Sequence, residues 1–356
     1  MKSLLAAPST TFSVQDDRTA TEPPEYRGLA RDEIRLLIGD SAGIRHAKFR
    51  DLPSFLLPGD LVVVNTSATL AAEVDGRWRE DRAVVVHFAT DLGDGNWVAE
   101  LRTAPAAEAP VLDADPGELI CLPGEGRLRL LSPYPRPGSS PNGHGNRLWR
   151  VQVSGVASVV AHLERWGRPI AYGYLAARFP LVDYQTVFAS TPGSAEMPSA
   201  GRGFTADLVT KLICAGVGIA PILLHTGVSS QDAGEAPQAE WFAVPAATAR
   251  QVTATRRAGG RVIAVGTTVT RALESVSAPD GTMLAQSGWT NLVIDPDRGV
   301  RVVDGLITGW HNPDASHLLL VEAVAGAERT QRAYDAAVAD NYRWHEFGDA
   351  GLLLRA

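Results

Sequence analysis

Residues 259–275, GGRVIAVGTTVTRALES, bring two hydroxyls, a guanidinium and a carboxylate into one short span: Thr267, Thr268, Arg271 and Glu274. The apolar residues up to Val265 read as a buried strand, Gly266 as a turn, and the residues from Thr267 onward as a helix. A helix start leaves backbone N–H groups unpaired and pointing outward, so it attracts an anionic or polar ligand group. The threonine hydroxyls can cap that helix, or they can bind such a ligand. Arg271 can face a ligand carboxylate, or it can pair with Glu274 along the helix surface. A strand that ends in a turn and a helix start is where α/β proteins keep their sites.

Two histidines add acid–base capacity. His225 closes the apolar run ILLH, where an imidazole can titrate near neutral pH. The competing reading is a core histidine bonded to backbone. His311 in TGWHNP precedes a proline turn and is expected on a loop, which suits a site residue. The eight histidines are scattered without HxxxH or CxxC spacing, so no metal is expected. The two cysteines, Cys121 and Cys214, sit in apolar sequence contexts and read as reduced structural residues of a cytosolic protein.

The elements that must position these residues can be read from texture. A chain of 356 residues suffices for one large domain and a smaller one. Ile34–Ile38 and Leu61–Val64 read as buried strands. From 73 to 153 short β-rich runs alternate with Gly, Pro and Asp turns, the pattern of a small antiparallel barrel or sandwich. Within it, 133–145 reads as a long mobile loop. After 153 helices and strands alternate again, with helices expected over 156–166, 205–215 (Thr205 as N-cap), 246–258, 316–325 and 330–340. The expectation is an α/β main domain, 25–72 and 154–356, carrying an inserted antiparallel β-barrel-like domain at 73–153. Residues 1–24, rich in Ser, Thr and Pro, read as a flexible arm.

Hydrophobic residues make up 45% and charged residues 21%, an ordinary soluble composition. No apolar run has the length of a membrane span and the N-terminus lacks signal-peptide order, so no membrane partner and a cytoplasmic location are expected. The net charge of −7 counts against broad nucleic-acid binding but leaves room for a local patch. Arg127 with Arg129, and Arg147 with Arg150, are clusters that are either solvated faces or part of such a patch.

Seven segments in order resemble one family. VGTTVTRALE is similar to VGTTS-x-R-x-LE, PGDLVVVN to PGDLLVLN, DYQTVFA to YQTVYA, MPSAGRGFT to APTAGLHFT and LHTG to LHVG. DGLITGWHNPDASHLLL is similar to D-x-LITNFHLP-x-STLLML, and YRWHEFGD to YRFFSYGD. These are motifs of the S-adenosylmethionine:tRNA ribosyltransferase-isomerases of queuosine biosynthesis, and the match runs from about Pro58 to the C-terminus. The resemblance independently implies an α/β domain carrying a β-barrel domain. It also implies transfer and isomerisation of the ribosyl moiety of S-adenosylmethionine onto 7-aminomethyl-7-deazaguanine in tRNA, releasing adenine and methionine. S-adenosylmethionine is then a substrate, and no cofactor is implied. The chemistry needs a base for the proton next to the sulfonium, a proton donor for adenine, and partners for ribose and carboxylate.

Carried onto this chain, the resemblance implies His225, His311 and Glu240 as catalytic candidates. Thr267, Thr268, Arg271, Tyr184, Gln185, Ser199 and Arg202 are the substrate-binding candidates. Tyr184 and Gln185 either contact a base or pack; Glu196 and Ser199 flank the MPSAG turn; Asp349 is expected to bond backbone at a turn. The chain also departs from the family. The arginine of NDTR is Ala68, that of PAR is Glu73, and the histidine of GLHFT is Gly203. The GAGTF loop is 227–231, the H-x-MH-x-E histidines are absent from 235–240, and PLPPYI has only a faint echo in 168–174. These losses leave a second reading open: a divergent paralogue acting on S-adenosylmethionine with a small acceptor and no tRNA.

Overall fold

The computed structural model describes residues 7–14, 18–137, 145–228, 238–313 and 315–355. The altered segment 229–237 and most of the long loop, 138–144, lie outside them.

The chain begins with β1 (Arg35–Asp40), β2 (Gly43–Lys48), β3 (Leu61–Asn65) and the short β4 (Ser67–Thr69). Then come β5 (Glu73–Trp78), β6 (Arg82–Asp91), β7 (Asn96–Thr103), β8 (Leu119–Cys121), β9 (Arg127–Pro133) and β10 (Leu148–Ser154). Helix α1 (Val159–Trp166) leads to β11 (Thr191–Ser194), α2 (Ala206–Cys214), β12 (Gly218–Leu224) and β13 (Glu240–Val244). The remainder is α3 (Ala246–Arg257), β14 (Val262–Val265), α4 (Thr267–Ser275), β15 (Gln286–Thr290), β16 (Gly305–Gly309), α5 (His317–Ala325), α6 (Ala327–Ala339) and β17 (Ala350–Leu354).

Two sheets dominate. A nine-stranded sheet has the order β15-β13-β12-β3-β14-β16-β17-β1-β2, and β5 to β10 close a barrel in the order β10-β7-β6-β5-β8-β9. In the large sheet β12, β3, β14 and β16 run parallel, flanked by antiparallel pairs. Every residue of β3 and of β14 is buried, because both faces of the sheet are covered. The barrel strand β9 alternates instead, Arg127 and Arg129 outward, Leu128 and Leu130 inward. Thr205 caps α2 by accepting the Leu208 N–H at 3.1 Å. The architecture is therefore α/β with an inserted barrel, as the alternating texture predicts.

Two expectations need correction. Cys121 and Cys214 are free but exposed; apolar neighbours in sequence do not bury an outward-facing residue at the end of a strand or of a helix. The described part of the N-terminal arm is docked. Ser9 Oγ and the N–H and Oγ1 of Thr10 all donate to Glu322 Oε1 at 2.6–2.9 Å. Phe12 lies against Tyr334 and Trp344, with centroids 4.7 and 5.4 Å away. Its polar residues satisfy a buried carboxylate, so composition alone misreads it.

Candidate active site

The parallel strands deliver their ends to one place. Val265 at the end of β14 and Gly266 just after it, Thr308 and Gly309 ending β16, and Thr226 and Gly227 after β12 all line a cavity of about 450 Å³. This is the crevice beyond the carboxyl ends of the strands. The parallel pairing of β4 with β11 brings Ala195–Ala200 to another wall.

Gly266 makes the turn. Its φ of 92° and ψ of 161° suit glycine alone, and an added Cβ would meet Ala200 Cβ at 3.3 Å. Gly266 is the N-cap, with no side-chain cap bond, so Thr267 and Thr268 do not cap α4; both line the cavity. Arg271 does not pair with Glu274. It forms an ion pair with Glu240, and its remaining N–H groups reach the carbonyls of Leu292, Thr290 and Gln238 at 3.2–3.3 Å. Burial raises the Glu240 pKa, and Arg271 works against that rise. Glu274 instead collects the backbone N–H groups of Arg301, Val302 and Val303 at 2.9–3.3 Å.

His311 lines the cavity, stacks on His317 at 4.7 Å, and shares a 3.0 Å hydrogen bond between Nε2 and Thr308 Oγ1. Burial, reinforced by His317 and His345, pushes its pKa well below the usual value, so the ring is neutral. Ser199 and Tyr184 also line the cavity. The Tyr184 hydroxyl is buried without a hydrogen-bond partner among the described residues.

Three candidates lie elsewhere. His225 Nδ1 meets Ser67 Oγ at 2.7 Å, and the ring stacks on Trp241 and packs against Gly193, where a Cβ would come within 2.3 Å. The half-buried ring just past the strand end thus bonds a serine hydroxyl rather than backbone. Gln185 pairs with the Thr69 backbone, accepting its N–H at 3.0 Å and donating to its carbonyl at 2.8 Å. Arg202, buried, ties the Asp183 carbonyl to Glu25, both at 2.9 Å. Asp349 accepts the N–H groups of Arg35 and Arg343 at 2.8 Å, a turn-holding role. Arg147 is buried against Glu100 at 3.3 Å and cannot belong to a surface patch.

The structure adds residues that sequence reasoning passed over. Tyr172 and Tyr174 line the cavity and donate to Glu196 and Glu346 respectively. His345, in the left-handed region at φ 68°, stacks on Tyr174 at 4.5 Å. The signal available was the Tyr-x-Tyr of 172–174 and the adjacent His-Glu of 345–346; neither has a spacing that announces a site.

Fold and site together define an α/β enzyme with a barrel insertion and a polar, aromatic-walled pocket at the ends of its parallel strands. Comparison narrows the class. The profile described as queuosine biosynthesis protein matches residues 8–353. The S-adenosylmethionine:tRNA ribosyltransferase-isomerase of Gluconacetobacter diazotrophicus is 37% identical over 345 residues, covering 93% of each chain. The enzyme of the same name from Thermus thermophilus is 38% identical, over 91% of this chain and 93% of its own. The crystal structure of S-adenosylmethionine tRNA ribosyltransferase from Thermotoga maritima aligns with a TM-score of 0.52 and 26% identity, over 96% and 99% of the two chains. The chain belongs to the queuosine biosynthesis protein family.

Proposed function

We propose that this chain is an S-adenosylmethionine:tRNA ribosyltransferase-isomerase. It transfers and isomerises the ribosyl moiety of S-adenosylmethionine onto 7-aminomethyl-7-deazaguanine in tRNA, and releases adenine and methionine. The observation that carries this is the near end-to-end similarity to relatives of that name, with the cavity placed at the kept motifs, VGTT and the histidine before a proline turn. S-adenosylmethionine is a substrate, and the reading calls for no cofactor. Among the described residues no cluster of His, Cys, Asp and Glu could hold a metal, and no helix is long and apolar enough to cross a membrane. We place the activity in the cytoplasm, with tRNA as macromolecular partner.

Within this reading the α4 N-terminus and the Thr267 and Thr268 hydroxyls hold the substrate carboxylate or ribose. Ser199 and Tyr184 add hydroxyls on other walls. His311, kept neutral by burial, is an acid–base candidate that the substrate would have to bring toward its working range. Glu240 holds Arg271 in an ion pair on the wall of the same cavity. The test is adenine release from S-adenosylmethionine with and without tRNA carrying the aminomethyl-deazaguanine base. Release only with that tRNA is expected; release without tRNA would mean a small-molecule enzyme.

A further inference from the structure

One wall of the cavity is acidic and aromatic at once. Tyr172 and Tyr174 stack with centroids 6.0 Å apart and planes 22° apart, and Tyr174 stacks on His345 at 4.5 Å and 20°. Each tyrosine hydroxyl donates to a carboxylate, Tyr172 to Glu196 and Tyr174 to Glu346. All five residues line the cavity. Among the described residues no arginine, lysine or histidine forms an ion pair with Glu346. Arg271, on the same cavity, is taken by Glu240 and three carbonyls. Burial lowers the pKa of His345 and of His311, so neither supplies positive charge near neutral pH.

We propose that Glu346, together with the Tyr172–Tyr174–His345 ring stack, binds a cationic group of the substrate, a sulfonium or an ammonium. This deepens the function proposed above and rests on it. Ring faces carry negative potential and attract onium cations. A carboxylate beside them supplies the counter-charge. With a neutral group in that position the buried carboxyl would instead take up a proton. Burial raises the Glu346 pKa to about 7, and the Tyr174 hydroxyl bond works against that rise. The charged and titratable groups that act on Glu346 are Tyr172, Tyr174, Tyr184 and Glu196, with His345 next to it in the chain on the same cavity. The cation has two chemical sources: the sulfonium and ammonium of S-adenosylmethionine, or the aminomethyl group of the acceptor base.

Glu346→Gln keeps the acceptor for Tyr174 and removes the charge. Calorimetric Kd values for S-adenosylmethionine and for its neutral thioether, S-adenosylhomocysteine, separate the first source. The KM for the modified tRNA separates the second. A rise of about tenfold or more in the S-adenosylmethionine Kd assigns the cation to that substrate, more so if the thioether is spared. A similar rise in the tRNA KM at unchanged Kd assigns it to the acceptor. In wild type the affected constant improves between about pH 6 and 8 as Glu346 ionises. The step is absent in Glu346→Gln and kept in Glu346→Asp, which also controls for folding. Wild-type turnover with both constants unmoved in Glu346→Gln overturns the proposal. Absence of wild-type adenine release overturns the function instead, and the Kd arm then decides the cation site alone, an unmoved Kd counting against it.

Discussion

Arg271 of α4 and Glu240, the first residue of β13, form an ion pair on the cavity wall, and both side chains are nearly buried. The pair joins the helix that starts at the Gly266 turn to the antiparallel edge of the sheet. Removing one partner leaves a buried charge without its counter-ion, at about 3–5 kcal/mol. Glu240→Ala should lose that much in urea unfolding. A substrate carboxylate that reaches Arg271 would replace the missing one. S-adenosylmethionine should therefore raise the melting temperature of Glu240→Ala by more than that of wild type. Equal shifts would show that Arg271 only braces the wall.

The threonines at the start of α4 make a cleaner case. Because Gly266 holds the cap position without a side-chain cap, the hydroxyls of Thr267 and Thr268 contribute little to the helix. Thr268→Ala and Thr267→Ala should unfold within about 0.5 kcal/mol of wild type. Each should weaken S-adenosylmethionine binding on the order of tenfold, the worth of a hydrogen bond to a charged group. Calorimetry beside chemical denaturation reads both. A large stability loss with unchanged affinity would return these residues to a structural role.

Gly266 itself admits no side chain at φ 92°. Gly266→Ala should cost about 1–3 kcal/mol and displace the first turn of α4. Affinity for S-adenosylmethionine should fall further than in either threonine variant, since the N–H groups move with the turn. An alanine variant of native stability would mean that the turn tolerates another conformation.

Glu73 carries a pH signature. It is fully buried and accepts from His87 at 3.1 Å and from Arg168 and Arg178, both at 2.7 Å. Burial alone would raise its pKa, but His87 and Arg178 bring it from 4.5 down to about 2. A depressed carboxylate stabilises the fold fully above its unfolded value and loses that contribution as pH falls through the folded one. The window is therefore about pH 4.5 down to about pH 2, worth about 3 kcal/mol in total. Subtracting the unfolding free energy of Glu73→Gln from that of wild type isolates this step. A difference that stays flat across the window would mean that Glu73 is not ionised in the folded protein.

What was readable in the chain was whatever local pattern encodes. The fully apolar β3 and β14, the alternation in β9, the Thr205 cap and the strand-turn-helix at Gly266 are dictated within a few residues of themselves. The wall built by Tyr172, Tyr174, His345 and Glu346 is not, since its halves lie 172 residues apart in the Tyr174–Glu346 bond and meet only after folding. Tyr172 and Tyr174 also fall in the segment where the motif resemblance is faintest. His225 shows another limit: sequence places it at a strand end, but only tertiary packing decides that its ring meets Ser67.

The strand order has a consequence for how the protein is made. β17 sits between β16 and β1, so the β1–β2 hairpin reaches the rest of the large sheet only through residues 350–354. On the ribosome β1 emerges first and β17 after every other described strand. Throughout elongation the hairpin has no docking partner in the sheet, and β16 offers an open edge to any other strand. Loss of those few residues would leave most of the chain intact yet deny it a finished sheet, which makes synthesis through β17 a condition of joining β1 and β2 to the other strands.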